Sequence, residues 1–322
     1  MAAPYVPGLD QVQICEESQW GTPVTMTAKL MGVKDCSITP VIDDEIIEDE
    51  RALLQKGPLA MRKKRSGKGK LTLSPATYED ICYLADMFFA KATPGGSYTR
   101  AWAAATTAIN APRKAAIAYG QSGIIYTLAG AIATQLHIAG ETNGLITADV
   151  DLVGKDVAAG TQAALSDRTV NPILGNHASL AIDAVGGTIG TTTIATSMFS
   201  FDFTATNGRA LDFHMGAATP DSYVDGDYAG KLKLSLEINA TTLAYLTSLL
   251  SGTLQQQIQI KFDDTASRQF VIQVGATLMG DIEMFPEKNG VHTLDLEYEF
   301  AYNTTLANSM KMTSLNGVAV LA

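Results

Sequence analysis

Apolar and polar residues alternate with period two through much of this chain. Residues 132–138 set Ile132, Thr134, Leu136 and Ile138 against Ala133, Gln135 and His137. Residues 147–152 alternate Ala148, Val150 and Leu152 with Thr147, Asp149 and Asp151. Farther on, Leu294, Leu296, Tyr298 and Phe300 alternate with Thr293, Asp295, Glu297 and Glu299, and Leu232 and Leu234 stand between Lys231 and Lys233. Successive side chains of a strand point to opposite faces, so this spacing predicts strands with one buried and one wet face, as in antiparallel sheets. Two windows follow helical spacing instead. Pro75 opens residues 77–90, where Ile81, Leu84, Ala85 and Phe88 share a face and Ser74 or Thr77 can cap the start. Asn239 caps residues 240–250, where Leu243, Leu246, Leu249 and Leu250 are predicted to share a face. Thr93-Pro94-Gly95-Gly96 and Ser251-Gly252 end the two helices.

The pattern occurs twice. Gly69-Lys70-Leu71-Thr72-Leu73-Ser74 returns as Gly230-Lys231-Leu232-Lys233-Leu234-Ser235, identical at five of six positions. Residues 141–149 return at 287–295 with five of nine identities, including the Asn143-Gly144 and Asn289-Gly290 turns. Asn-Gly accepts positive φ and is the strongest short hairpin signal. Arg51-Ala52-Leu53 returns as Arg209-Ala210-Leu211. Each half therefore reads as strands, a long loop, a strand, one helix and a closing group of strands. The expected boundary falls in 154–176, giving domains at 1–165 and 166–322, with another Gly/Thr-rich loop at 186–193. Residues 1–25 have no evident counterpart and read as an N-terminal arm. The fold class is mainly β, two tandem β-sandwich or half-barrel domains, each with one flanking α-helix. A duplicated chain predicts a pseudo-symmetric object of the kind built into rings or stacks.

Composition narrows the function. The chain has 322 residues, 46% apolar and 17% charged, which is a globular balance with little charge for its size. A net charge of −10 opposes a grip on phosphates, though not a surface that nucleic acid slides past. Cys15, Cys36 and Cys82 are odd in number and widely spaced, so they read as reduced, buried thiols. No signal peptide and no run of 18 apolar residues is visible, so neither secretion nor a membrane span is expected.

Further residues carry a resemblance. Glu17-Ser18-Gln19-Trp20-Gly21-Thr22 resembles the Glu-x-x-x-Gly-Thr opening of tailed-phage tail tube proteins. Ala115-Ala116-Ile117-Ala118-Tyr119-Gly120, Tyr126-Thr127-Leu128-Ala129-Gly130-Ala131, Leu136-His137-Ile138-Ala139-Gly140 and the 148–154 ending resemble that family's closing strands. The second half, 177–302, resembles it more loosely. What the resemblance implies is a subunit of stacked rings around a channel that conducts DNA. A doubled member is expected to form trimeric, pseudo-hexameric rings, here in a non-contractile tail. Implied partners are other copies of the chain, tape-measure, tail terminator and baseplate proteins, and viral DNA passing without tight binding. The implied location is the virion tail, assembled in the bacterial host cytoplasm.

Two charge patterns are candidates for function. Asp149 and Asp151 match Asp295 and Glu297, Glu299 continues the row, and Asp281 and Glu283 fall on the preceding strand. Like charges opposite one another destabilise a sheet, so this row needs a wide watery space or basic neighbours such as Lys231 and Lys233. The functional reading places the row in the tube lumen; the alternative is an ordinary solvated face. The second pattern is the basic run Arg62, Lys63, Lys64 and Arg65 with Lys68, set against the acidic counterpart loop carrying Asp221, Asp225 and Asp227. These opposed loops predict contacts between subunits or rings; the alternative is a flexible solvated loop.

Catalysis finds little support. His137, His177, His214 and His292 are scattered away from metal-ligand spacing. Residues 66–72 lack the first glycine of a phosphate loop and lead into a strand. No cofactor and no enzymatic activity is expected. The alternatives are a related ring protein, such as a tail terminator, baseplate ring or secretion tube, or a doubled β-sandwich binding module. The last predicts clustered exposed aromatics, and neither Trp20 nor Trp102 sits in such a cluster.

Overall fold

The structure is a computed structural model and describes residues 9–46, 60–121, 123–194, 198–252, 255–288 and 290–321. It is mainly β, with two α-helices among the described residues. The first half contains β1 (Gln11–Glu16), β2 (Ala28–Lys29), β3 (Val33–Ile46), β4 (Ala60–Leu73), α1 (Ile81–Phe88), β5 (Thr99–Ala103), β6 (Ala115–Gln121), β7 (Ile124–Glu141), β8 (Thr147–Gly154) and β9 (Asp156–Ala159). The second contains β10 (Ala178–Ala184), β11 (Thr193–Ile194), β12 (Met198–Thr206), β13 (Ala210–Asp212), β14 (Ser222–Val224), β15 (Ala229–Glu237), α2 (Ala240–Leu250), β16 (Gln255–Thr265), β17 (Arg268–Lys288), β18 (Val291–Phe300) and β19 (Met310–Leu315).

The duplication reappears in the strand pairing, all of it antiparallel. The first half pairs β1 with β2 and β6, β3 with β4, β4 with β8, and β7 with β6, β8 and β9. The second pairs β10 with β11 and β16, β12 with β15, β15 with β18, and β17 with β16, β18 and β19. Each of these pairings of one half has its counterpart in the other; the small β13–β14 pair of the second half and the β5–β19 pair between the halves stand outside the correspondence. β1, read from sequence as part of an arm, is therefore the counterpart of β10. Residues 1–8 lie outside the described residues, as do the acidic positions 48–50 and the repeated Arg51-Ala52-Leu53.

Register refines the sequence repeat. Asp149 and Asp151 correspond to Asp295 and Glu297 through the matching hairpins, and Lys70 lies opposite Asp151 while Lys233, not Lys231, lies opposite Glu297. The sheet thus aligns Lys70 with Lys233, two residues away from the Gly-Lys-Leu match. A bulge between Val33 and Asp35 and another between Met198 and Ser200 support the same alignment. A slip of two keeps every side chain on its face, so the pattern of buried and wet positions is insensitive to it.

Inward positions are the predicted ones: Leu71, Leu73, Ala148, Val150, Leu152, Leu232, Leu234, Leu294, Leu296 and Tyr298 are all buried in one core. The alternation departs at the ends of β18, where Thr293 is buried and Phe300 only half-buried, and in β7. β7 bulges between Ala133 and Gln135, so Ala133 joins Leu136 and Ile138 in the core while Thr134 is left half-buried. A bulge adds one residue and switches the phase of the strand.

The helices also depart from expectation. α1 starts at Ile81 rather than near Thr77, and the Thr77 hydroxyl accepts from the Asp80 N–H at 3.0 Å in the turn before it. α2 has the predicted bounds, and Asn239 Oδ1 accepts from the N–H groups of Thr241 and Thr242 at 3.0 and 3.1 Å. Its four leucines do not share one environment: Leu246 is buried, whereas Leu243 and Leu250 are 52% and 68% exposed. The Leu249 side chain lies outside the described residues. All eight residues of α1 are buried.

Candidate functional site

The first element of the site is a polar sheet face that crosses the boundary between the halves. β12 pairs with β7, from Ser200 opposite Glu141 to Thr206 opposite Gln135. The strands β4, β8, β7, β12, β15, β18 and β17 are therefore neighbours in that order. Opposite the core this surface carries Lys68, Lys70, His137, Asp149, Asp151, Asp202, Lys231, Lys233, Asp295, Glu297 and Glu299. A groove of about 530 Å³ lies on it, lined in part by Glu141, Asp202, Lys233, Asp295 and Glu297.

Basic neighbours compensate the acidic row. Lys70 Nζ is 3.1 Å from Asp149, and Lys231 and Lys233 lie 2.8 and 3.5 Å from the two oxygens of Glu297. In backbone register Glu283 lies opposite Asp295, and Asp281 falls at a bulge of β17. The side chains of Asp281 and Glu283, and residue Asn289, lie outside the described residues.

His137 closes the seam between β7 and β12. Its Nδ1 is 2.7 Å from Asp149 on β8 and its Nε2 is 3.2 Å from Asp202 on β12. The hydrogen bond to Asp149 holds the imidazole above its ordinary value, and the charges of Asp149 and Asp202 outweigh the opposing effect of burial. Burial pushes Asp149 upward, but hydrogen bonds from His137 and Lys70 prevail and leave it below the usual carboxylate range. Neither His137 nor Asp202 was a sequence candidate, although the alternation Phe201, Asp202, Phe203, Thr204 already puts Asp202 on the wet face.

A second anchor of the seam is buried. Arg209, 5% exposed, donates to the carbonyls of Met87 and Ala133 at 3.1 and 2.8 Å and pairs with Asp225 at 2.5 Å. Asn207 donates to the carbonyls of Phe88 and Ala133 at 3.2 and 2.9 Å. Two second-half residues thus satisfy carbonyls left open at the end of a first-half helix. No local spacing announces this, because Arg209 and its acceptors are far apart in sequence.

The Glu17-to-Thr22 segment acts as a bracket. Glu17, 4% exposed, accepts from the N–H of Gly21 at 2.6 Å and of Gly130 at 2.9 Å. Trp20 Nε1 donates to the Gly130 carbonyl at 2.8 Å. Gly130 has φ +66°, and a Cβ there would meet Trp20 Nε1 at 2.6 Å.

The basic run is a strand, not a loop. Arg62, Lys63, Lys64, Arg65 and Lys68 belong to β4, which with β3 forms a two-stranded ribbon. The acidic stretch of β3 lies alongside: Arg62 pairs with Asp44 at 3.0 Å and Lys63 with Glu45 at 2.9 Å. Arg65 pairs with Asp156 and donates its backbone N–H to Ala218, and Lys64 lies over the Phe213 ring. In the second-half loop Asp225 is taken by Arg209, Asp221 lies 3.5 Å from His214, and Asp227 is exposed. The basic strand thus already touches the second-half segment within one chain, through Ala218 and Phe213 rather than through its acidic residues.

The last element is a pair of sheet edges. β18 takes one side of β17, and beyond Thr277 the other side pairs with no strand among the described residues; β3 likewise pairs only with β4. Their counterparts, β7 and β12, are the strands that pair with each other at the seam. Among the described residues no group of three His, Cys, Asp or Glu side chains could hold a metal, and no helix is long and apolar enough to cross a membrane.

No curated protein matches the chain. A family model described as "Phage tail tube protein" matches residues 10–303, nearly the whole length. The chain, with its duplicated sheet and two edges that stay open among the described residues, belongs to the phage tail tube protein family, structural proteins of the virion tail.

Proposed function

We propose that this chain is the building unit of the tail tube, joined by the edge of β17 in one copy pairing with β3 in the next. One observation carries the reading: the β7–β12 seam within the chain has its topological counterparts in β17 and β3, whose edges are open among the described residues. Unpaired edges invite further strands, and closure into a ring removes them. Transferring the internal register through the hairpin and the bulges puts Ile38 of one copy opposite Met284 of the next, as Phe203 lies opposite Ile138. Three chains then supply six equivalent units, alternating internal and intermolecular seams, and such rings stack into a tube.

In this arrangement the polar face lines the lumen. Asp149, Asp151, Asp202, Asp295, Glu297 and Glu299 outnumber Lys68, Lys70, Lys231 and Lys233, and the remaining excess of negative charge lets DNA pass without adhering. The basic strand and the acidic second-half loop provide contacts between rings. Tape-measure, terminator and baseplate proteins are the expected partners at the ends, in a non-contractile tail assembled in the host cytoplasm.

Electron microscopy of the purified protein and of the parent particles tests the reading. Tubes with threefold rings, a central channel and β17 beside β3 of the next chain are expected. Rings in which these two edges stay apart would overturn it.

A further inference from the structure

The helices α1 and α2 occupy equivalent places but differ in cover. α1 is covered along its length by Trp102 and Arg113 on Asp86 and by Asn316 on Cys82, and at its C-terminal end by the segment between β12 and β15. Asn207 and Arg209 bind its last carbonyls, while Tyr228 stacks on Phe89 and meets Phe88 edge-on. On α2 the residues Leu243, Thr247 and Leu250 form an exposed stripe at helical spacing. Met279, at 45% exposure, lies on the open stretch of β17.

The counterpart of the covering segment is the outer part of the β3–β4 ribbon, since β12 and β15 match β3 and β4. Aligned on the bulges, Ile42 takes the place of Asn207. That ribbon presents Val41, Ile42 and Met61 at 37%, 47% and 54% exposure. A two-stranded ribbon with exposed apolar residues gains stability by packing on something.

We propose that the exposed stripe of α2 receives the β3–β4 ribbon of the adjacent copy, with Ile42 packing over Leu250 and Met279. The proposal rests on the edge-to-edge reading, because the β17–β3 seam is what delivers the ribbon to α2. The difference in chemistry fits. The end of α1 needs donors, which Asn207 and Arg209 supply. The last turn of each helix closes alike, with Phe89 N–H on the Ala85 carbonyl at 2.8 Å and Ser251 N–H on the Thr247 carbonyl at 3.1 Å. What α2 and β17 offer a cover in addition is apolar surface, Leu243, Leu250 and Met279, which an apolar Ile42 matches.

The test is cross-linking in assembled tubes with a short bismaleimide. Cys15, Cys36 and Cys82 are buried, so the unmodified chain gives a monomer background. A chain carrying Ile42→Cys and Leu250→Cys is expected to give a ladder of linked chains. A companion carrying Thr39→Cys and Glu283→Cys, polar positions that the same transferred register places opposite each other as Thr204 lies opposite His137, reports the seam. Linking at both sites supports the proposal. Linking at the seam alone overturns it and leaves the edge reading standing, whereas linking at neither overturns both. A second measurement uses Leu243→Ser with Leu250→Ser, both at exposed positions. Monomer melting should be unchanged, while the concentration for half-assembly should rise about tenfold or more; assembly at the original concentration would overturn the proposal.

Discussion

Gly130 shows how much one residue can fix. Its positive φ and the lack of a Cβ let Trp20 and Glu17 close on β7. Alanine there meets both a left-handed backbone and the Trp20 ring, so Gly130→Ala should cost about 2 kcal/mol or more in urea unfolding. An unchanged midpoint would show that the bracket bears no strain. His137 offers a pH test. Its folded pKa lies above the unfolded value of about 6.5, so its stabilisation is complete below that pH and fades as pH climbs through the folded value. Asp149 works in the opposite sense. Its contribution is present above an unfolded value of about 4 and is lost as pH falls through the lowered folded one. The clasp is thus strongest between about pH 4 and 6.5. The stability difference between the natural chain and His137→Gln should be largest near pH ~5.5 and shrink by pH ~9, with a ceiling of about 1 kcal/mol for a partly solvated pair. A difference that does not vary with pH would remove His137 from the seam energetics.

At the scale of elements, Arg209 is the joint between the halves. Removing its side chain leaves Asp225, 4% exposed, as an uncompensated buried charge and strips the donor from the carbonyls of Met87 and Ala133. Arg209→Ala should therefore cost about 3–5 kcal/mol, and hydrogen exchange should show the amides of α1 losing protection first. The joint was invisible in sequence because its partners come from both halves and follow no spacing. What sequence did show was local. Asn239 announced α2, because an Asx cap acts on N–H groups two and three residues away. The alternation of β8 and β18 announced their buried faces. The start of α1 was misplaced because residues 77–80 are held by tertiary contacts: Thr77 bridges to Pro172, and Glu79 accepts from Asn171 at 2.9 and 2.8 Å. β1 was missed as a counterpart of β10 because the two share partners rather than residues. The acidic row was legible by periodicity, but its neutralisation by Lys70 and His137 required the register across four strands.

At the scale of the whole molecule, the side of the sheet that meets the channel determines how the assembly treats DNA. On the proposed arrangement, a lumen lined by Asp149, Asp151, Asp202, Asp295, Glu297 and Glu299 would repel phosphates at every ring and let DNA pass smoothly. Lys70, Lys231 and Lys233 are held in ion pairs with Asp149 and Glu297, which keeps their charge from acting alone. Changing Asp151→Lys and Glu299→Lys converts two of these carboxylates to cations in each chain, and the change repeats in every ring. Tubes of that variant should retain short duplex DNA, with binding that falls steeply as salt rises, because each phosphate contact releases a counterion. Retention alone does not locate the surface, so the measurement must include nuclease. DNA held in the channel of an intact tube is shielded, whereas DNA on the outer wall is cut. Salt-sensitive, nuclease-resistant DNA in the variant, with none in the unmodified tubes, is the expected outcome. DNA that binds the variant but remains fully digestible would put this face on the outside, and the lumen would then have to be built from the opposite surface of the subunit.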